Sequence, residues 1–248
     1  MSEPSVTLHL GDCLEALGAV PSGSVRIVVT DPPYLLGAAS ARKSADKAIG
    51  WADINNAARW YADWMREAWR MLSPDGSLWV FGNWRSLPVY QCAASKVAGM
   101  SILSVVVWDR QWPSVGSTRG LRQNYEVVAL FGKPEFAIAD RSVSDIWPCK
   151  WAGHRPSGHP QEKPVPLIRR MIDTAKVPPG ETLCDPFTGS GSSAVAAIEA
   201  GLNFIGAEME ENHHAVALRR IALATPPLAV NEVAPPSDPP VFRLEAAP

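Results

Sequence analysis

Asp31, Pro32, Pro33 and Tyr34 stand directly behind the run VRIVVT at Val25–Thr30. A short β-branched run of this kind reads as a buried strand of a mostly parallel sheet. Two prolines then stop it, because they cannot continue a hydrogen-bonded ladder, and Pro32 biases Asp31 towards extended backbone. The result is a stiff shelf at the carboxyl end of a strand, the edge on which open α/β sheets place ligands. The chemistry that suits it is activation of an amine on an aromatic base, whose delocalised lone pair makes it a poor nucleophile. The Asp31 carboxylate and the Pro32 carbonyl supply acceptors for the two amine hydrogens. Tyr34 offers a face for a base swung out of a helix. An ordinary Asp-Pro turn after a strand is the plainer account of the same residues.

A second centre spans Thr182 to Glu208, TLCDPFTGSGSSAVAAIEAGLNFIGAE. It reads as a strand ending at Cys184-Asp185, a glycine loop, a helix from Gly191 to Ala200, and a strand from Asn203 that ends at Glu208. Gly189 to Ala194 fits G-x-G-x-x-[G/A], and Glu208 follows at roughly the 20-residue distance that reaches a ribose hydroxyl pair. The glycines alone say little; strand, loop, helix and strand-end acid together predict an adenosine-type cofactor. Asp185 at the loop entrance disfavours a pyrophosphate and suits the amino group of a methionine moiety, which points to S-adenosylmethionine rather than NAD.

These centres need one large α/β domain, and 248 residues suffice for it. No apolar run approaches the ~20 residues of a membrane span, and the N-terminus has no signal-peptide pattern. The four cysteines lie far apart without a CxxC, which predicts a reduced, cytoplasmic protein without a structural metal. Cys149, His154 and His159 form too loose a set for zinc. The net charge of −2 does not favour nucleic-acid binding, so a basic footprint must be local. Arg110, Arg119 and Arg122 in the loop 109–124, with Trp112 among them, could contact phosphates. Lys150 and Arg155 fall in the irregular stretch 133–158, the natural place for a small recognition insertion, and 35–56 reads as a mobile loop over the site.

Between the centres, Val6 to Leu10 reads as a strand, with Asp12 capping a short apolar helix. Residues 57–72 read as a helix with Trp60, Trp64, Ala68 and Leu72 on one buried face. Ser73 to Gly76 is a turn into a strand at 77–82. A helix near 87–98 and strands at 102–108 and 127–131 follow. The proline-rich tail 225–248 is expected to be disordered and dispensable, leaving 1–224 as a single domain.

Together these stretches resemble the S-adenosylmethionine-dependent DNA amino-methyltransferases of the permuted β type, in which the catalytic half precedes the cofactor half. The resemblance runs from Leu8 to Ile221 through GDCLEAL, DPPY, LSPDGSLWVFG, NYEVVALFGK, HPQEKPVPLIRRMI, DPFTGSGS and IGAEMEENHHAVALRRI. It implies a Rossmann-like sheet of the seven-stranded type, mostly parallel with an antiparallel edge strand and helices on both faces. It implies that Asp31, Pro32, Pro33 and Tyr34 activate the amine and hold the flipped base, adenine N6 before cytosine N4 because the shelf is led by aspartate. It places Asp185, Pro186, Phe187, Gly189 and Gly191 along the methionine and ribose of the cofactor, with Glu208 on the ribose hydroxyls. Asp12 and Cys13 would lie near its adenine, while His159 and Lys163 help close the pocket. Double-stranded DNA is the implied partner, and a homodimer and a cognate restriction endonuclease accord with the family. The chain departs from the pattern at Asn124-Tyr125-Glu126 and at His213-His214, where many members carry other residues.

Three other readings have some footing. Pro148-Cys149 is the dipeptide of a C5-cytosine methyltransferase, but it precedes the glycine loop and follows no predicted strand. A NAD-dependent dehydrogenase would leave the Asp31 shelf unexplained. A non-catalytic nucleic-acid-binding protein would need a stronger basic patch.

Overall fold

The computed structural model describes residues 4–33, 54–111, 120–151, 162–224 and 230–233. In chain order the elements are β1 (Val6–Leu10), α1 (Cys13–Gly18), β2 (Val25–Thr30), α2 (Ile54–Met71), β3 (Leu72–Gly82), α3 (Ser86–Ala94), β4 (Ser104–Asp109) and β5 (Tyr125–Gly132). They continue with β6 (Ile146–Pro148), α4 (Val165–Thr174), β7 (Thr182–Asp185), α5 (Ser192–Glu199), β8 (Asn203–Glu208), α6 (Glu211–Ala224) and β9 (Val230–Val233). The described strands form one sheet in the order β6-β4-β5-β3-β2-β7-β8-β1-β9.

Strand alternation creates the two faces. In β2, Val28 packs into the core under α1, α2 and α3, whereas Ile27 and Val29 pack into the core under α4, α5 and α6. β3 and β5 repeat the pattern, Leu78, Val80 and Ala129 facing one way and Trp79, Phe81 and Val128 the other. The apolar runs are therefore buried on both faces, as crossover-connected strands must be.

The mixed, mostly parallel sheet with helices on both faces is present, with three differences in detail. The antiparallel strand is β5, and it lies inside the sheet between β3 and β4 rather than at an edge. The rims are extended beyond seven strands by β6 and β9, which pair in parallel with β4 and β1. β6 falls inside the stretch expected to be a recognition insertion: Trp147 is buried against Trp79 with ring centroids 5.9 Å apart, so the sheet recruits this part of 133–158. β9 falls inside the tail expected to be disordered and gives the β1 edge a partner.

Locally, the expected turn at Ser73 to Gly76 is a bulge within β3. Pairing with β2 jumps from Val25–Leu72 to Ile27–Ser77, and Arg26 reaches the Asp75 carboxylate at 2.9 Å. In α2, Trp64 is 1% exposed but Trp60 is 37% exposed, so only one of the two tryptophans expected on the buried face is buried. The predicted loop 35–56 lies outside the described residues except for 54–56, which open α2.

Candidate active site

The parallel strands all end on one edge of the sheet, and β5, running the other way, begins there. Register brings the chemistry-bearing residues into line. Thr30 pairs with Val80, which sets Asp31 level with Phe81, and Phe81 and Gly82 pair with Val128 and Val127, placing Glu126 just beyond. Asp31, Phe81 and Glu126 share the face of Ile27, Val29 and Val128, the face that carries α4. The segment entering α4 supplies Lys163, 8% exposed, with Nζ 2.5 Å from Asp31 Oδ2 and 3.4 Å from Glu126 Oε2. The ammonium sits 5.2 Å from the centre of the Phe81 ring. Burial disfavours its charge, but the two carboxylates outweigh burial and hold its pKa above the ordinary lysine value.

The shelf is braced from the other face. Tyr61, buried in α2, donates its hydroxyl to the Pro33 carbonyl at 2.7 Å. Pro32 is buried and Pro33 exposed. Tyr34 lies outside the described residues, as do Arg119, Arg155 and His159.

Asp185, 5% exposed, joins the shelf to the glycine loop. Its carboxylate accepts from the Thr30 hydroxyl at 2.7 Å, the Phe187 N–H at 3.0 Å and the Ser193 hydroxyl at 2.5 Å. Burial is the largest influence and lifts its pKa to about 6 in spite of those donors. The carboxylate expected to meet a cofactor amine is held in place by three protein donors. Gly189 and Gly191 adopt φ of 55° and 84°, a region that favours glycine, and a Cβ on Gly191 would come 3.0 Å from the Ala217 Cα. The loop turns onto Glu208, whose carboxylate accepts from Gly189 N–H and Glu210 N–H, both at 2.8 Å. Pro186 is buried, and Phe187 packs at 5.7 Å between ring centres against half-exposed Trp60. Asp12 caps α1 through Leu14 N–H at 2.7 Å, as the plain reading had it. Beside it, burial and then the Asp12 charge push the Cys13 thiol up to about 12, leaving a neutral, soft side chain.

Arg220 and Glu162 join the frame without having been singled out from sequence. Arg220 of α6 donates to the Ser190 carbonyl and hydroxyl at 2.9 Å and to the Ser192 hydroxyl at 3.1 Å, and its other nitrogen meets Glu162 at 3.0 Å. The basic residues divide. Arg110 turns inward to Glu126 at 3.2 Å and the Gln123 carbonyl at 3.0 Å, so it belongs to the site's charge network rather than to an open phosphate-binding face. Arg122 and Lys150 are exposed. Cys149 is a poor nucleophile, because burial raises its thiol pKa despite the nearby Arg170.

The fold thus brings a strand-end carboxylate shelf, a glycine loop and a second strand-end acid to one edge of a mixed α/β sheet. Comparison with known proteins names the family. The profile of the N6/N4 methyltransferase family, described as DNA methylase, matches residues 25–219, and the chain belongs to that family. The protein YubD of Escherichia coli is 30% identical over 212 residues, covering 86% of this chain and 88% of YubD. The DNA adenine methyltransferase YhdJ of the same species is 24% identical over 258 residues, covering 90% of this chain and 85% of YhdJ. The fold matches that of TTHA0409 from Thermus thermophilus, solved with S-adenosyl-L-methionine. That match has a TM-score of 0.71 at 20% identity and covers 92% of this chain and 99% of that one. No helix among the described residues is long and apolar enough to cross a membrane.

Proposed function

We propose that this chain moves a methyl group from S-adenosylmethionine to the exocyclic N6 of an adenine swung out of duplex DNA. The observation that carries the reading is Asp31, ion-paired at the end of β2 and followed by Pro32 and a Pro33 whose carbonyl is tied down by Tyr61. Adenine is favoured because the shelf is led by aspartate and because YhdJ is named an adenine enzyme. Cytosine N4 is the alternative, since the family profile spans both and both amines carry two hydrogens.

The residues at the glycine loop fit the cofactor. Glu208 accepts one backbone N–H on each oxygen and keeps lone pairs for ribose hydroxyls. Gly189 and Gly191 let the backbone approach closely, and Phe187, Cys13 and Trp60 offer apolar surface. Bound there, S-adenosylmethionine supplies an electrophilic methyl group on a sulfonium. Asp31 and the Pro32 carbonyl accept the two amine hydrogens, drawing the nitrogen towards a tetrahedral state and freeing its lone pair. Tyr61 keeps the Pro33 carbonyl, and with it the shelf, at a fixed height above β2. Extruding the base costs a few kcal/mol, offset by stacking in the pocket. Most of the acceleration comes from holding nitrogen and methyl in line. Exposed Arg122 and Lys150 are suited to phosphate contacts.

The test is to incubate the protein with S-adenosylmethionine and unmethylated DNA and to identify the nucleosides by mass spectrometry. N6-methyladenine is the expected product. N4-methylcytosine would keep the site and reassign the base, and no methylated base from a cofactor-bound protein would remove DNA as substrate. Asp31→Ala should lose methyl transfer by roughly 100-fold or more while still shifting DNA in a gel.

A further inference from the structure

We propose that Lys163 is a positioning residue for Asp31: it holds the catalytic carboxylate ionised and aimed, rather than merely closing the cofactor pocket. The inference rests on the methyltransferase reading above. Asp31 and Glu126 stand two strands apart, about 10 Å across the sheet, on the same face, and the Lys163 ammonium bridges them. Arg110 closes the row on the far side of Glu126, so the charges alternate as Asp31, Lys163, Glu126, Arg110. Without Lys163 the catalytic carboxylate would share a half-buried edge with a second one, and like charges in such a place drive one of the pair to take up a proton. A protonated Asp31 could no longer accept both its share of the amine hydrogens and the developing positive charge.

The lysine is itself fixed in place. Its neighbour Glu162 pairs with Arg220, and the same guanidinium grips Ser190 and Ser192 of the glycine loop. One brace therefore sets the cofactor loop and the lysine in a common register. Among the described residues, the groups facing Asp31 are Lys163 before α4, Glu126 of β5 with Arg110 just past β4 behind it, Asp185 at the end of β7, and Tyr61 and Tyr90 from α2 and α3. Of these, Lys163 and Glu126 are the two that can be altered with opposite consequences for the Asp31 charge.

The experiment is the pH dependence of single-turnover methyl transfer by the full chain on unmethylated DNA, with S-adenosylmethionine affinity measured by equilibrium dialysis. Lys163→Met should move the acid limb up by about one pH unit and slow transfer at neutral pH by roughly tenfold, with cofactor affinity within about twofold. Glu126→Gln should move the limb down, because Lys163 then serves Asp31 alone. Combining the two should return the limb towards its original position, a rescue that a merely structural lysine would not give. If Lys163→Met does not fold, the direction of the Glu126→Gln shift decides the matter. An unmoved limb in Glu126→Gln, or a Lys163→Met protein with weakened cofactor binding and an unmoved limb, overturns the proposal. A wild-type protein that methylates no DNA fails the methyltransferase reading instead, so the two failures are distinct.

Discussion

At the scale of single residues, Asp185 is the one buried carboxylate among the described residues, and its environment makes it a pH-dependent part of the fold. Its pKa is near 6 against an ordinary 3.8, chiefly through burial. Between those values the folded protein holds a proton that the unfolded chain has released. The resulting stability is fully present below the ordinary value and is lost as pH rises through about 6. The effect is on the order of 1–3 kcal/mol. Urea midpoints should therefore fall across this window in the wild type, and the fall should flatten in Asp185→Asn; equal slopes would contradict it. The sequence made Asp185 legible as important through DPF before a glycine loop, but not what it touches. Thr30 lies 155 residues away, and only folding brings that hydroxyl to it. The same holds for Lys163, visible in the HPQEKP run, whose partner Asp31 lies 132 residues away. Tyr61 carried no motif signal at all, and Arg220 and Glu126 lay within runs quoted for the resemblance without any sign of what they would touch.

At the scale of elements, local patterns gave most strands and helices to within a few residues because their apolar periodicity is strong. Beyond α4 and α6, which were quoted only within the resemblance, what they missed was set by partners. β6 is too short to be recognised alone and exists because Trp147 fits against Trp79 beside β4. Trp60 is spaced like a core residue, but it stays 37% exposed while its ring packs against Tyr61 and Phe187. The joint between the glycine loop and α5 gives a direct test. Gly191→Ala must place a Cβ against the Ala217 backbone at a φ of 84°. It should cost about 1–3 kcal/mol of stability and weaken cofactor binding several-fold, read by thermal melting and equilibrium dialysis. A variant with unchanged melting would show that α6 yields easily.

At the scale of the whole molecule, the order of the two centres along the chain was legible, and the rims of the sheet were not. A tail rich in proline suggested a dispensable appendage, yet Val230–Val233 runs alongside β1. Removing residues 225–248 should leave methyl transfer within about twofold, since the site residues lie on strands that keep their neighbours. It should also bare the β1 edge and promote self-association, visible as concentration-dependent light scattering; a truncated protein that stays monodisperse would show that β9 adds nothing. The opposite half of the sheet has a different consequence. β4 and β5 meet at Asp109–Tyr125, and Arg110 N–H bonds to the Asn124 carbonyl at 3.0 Å. The chain between leaves and re-enters the catalytic edge at a single clasped point. With its ends held by these backbone contacts, changes in length or composition of that segment are expected to leave the Asp31–Lys163 pair in place, read as unchanged cofactor affinity by equilibrium dialysis. The stretch expected from sequence to touch phosphates is thereby separable along the chain from the residues proposed to transfer the methyl group.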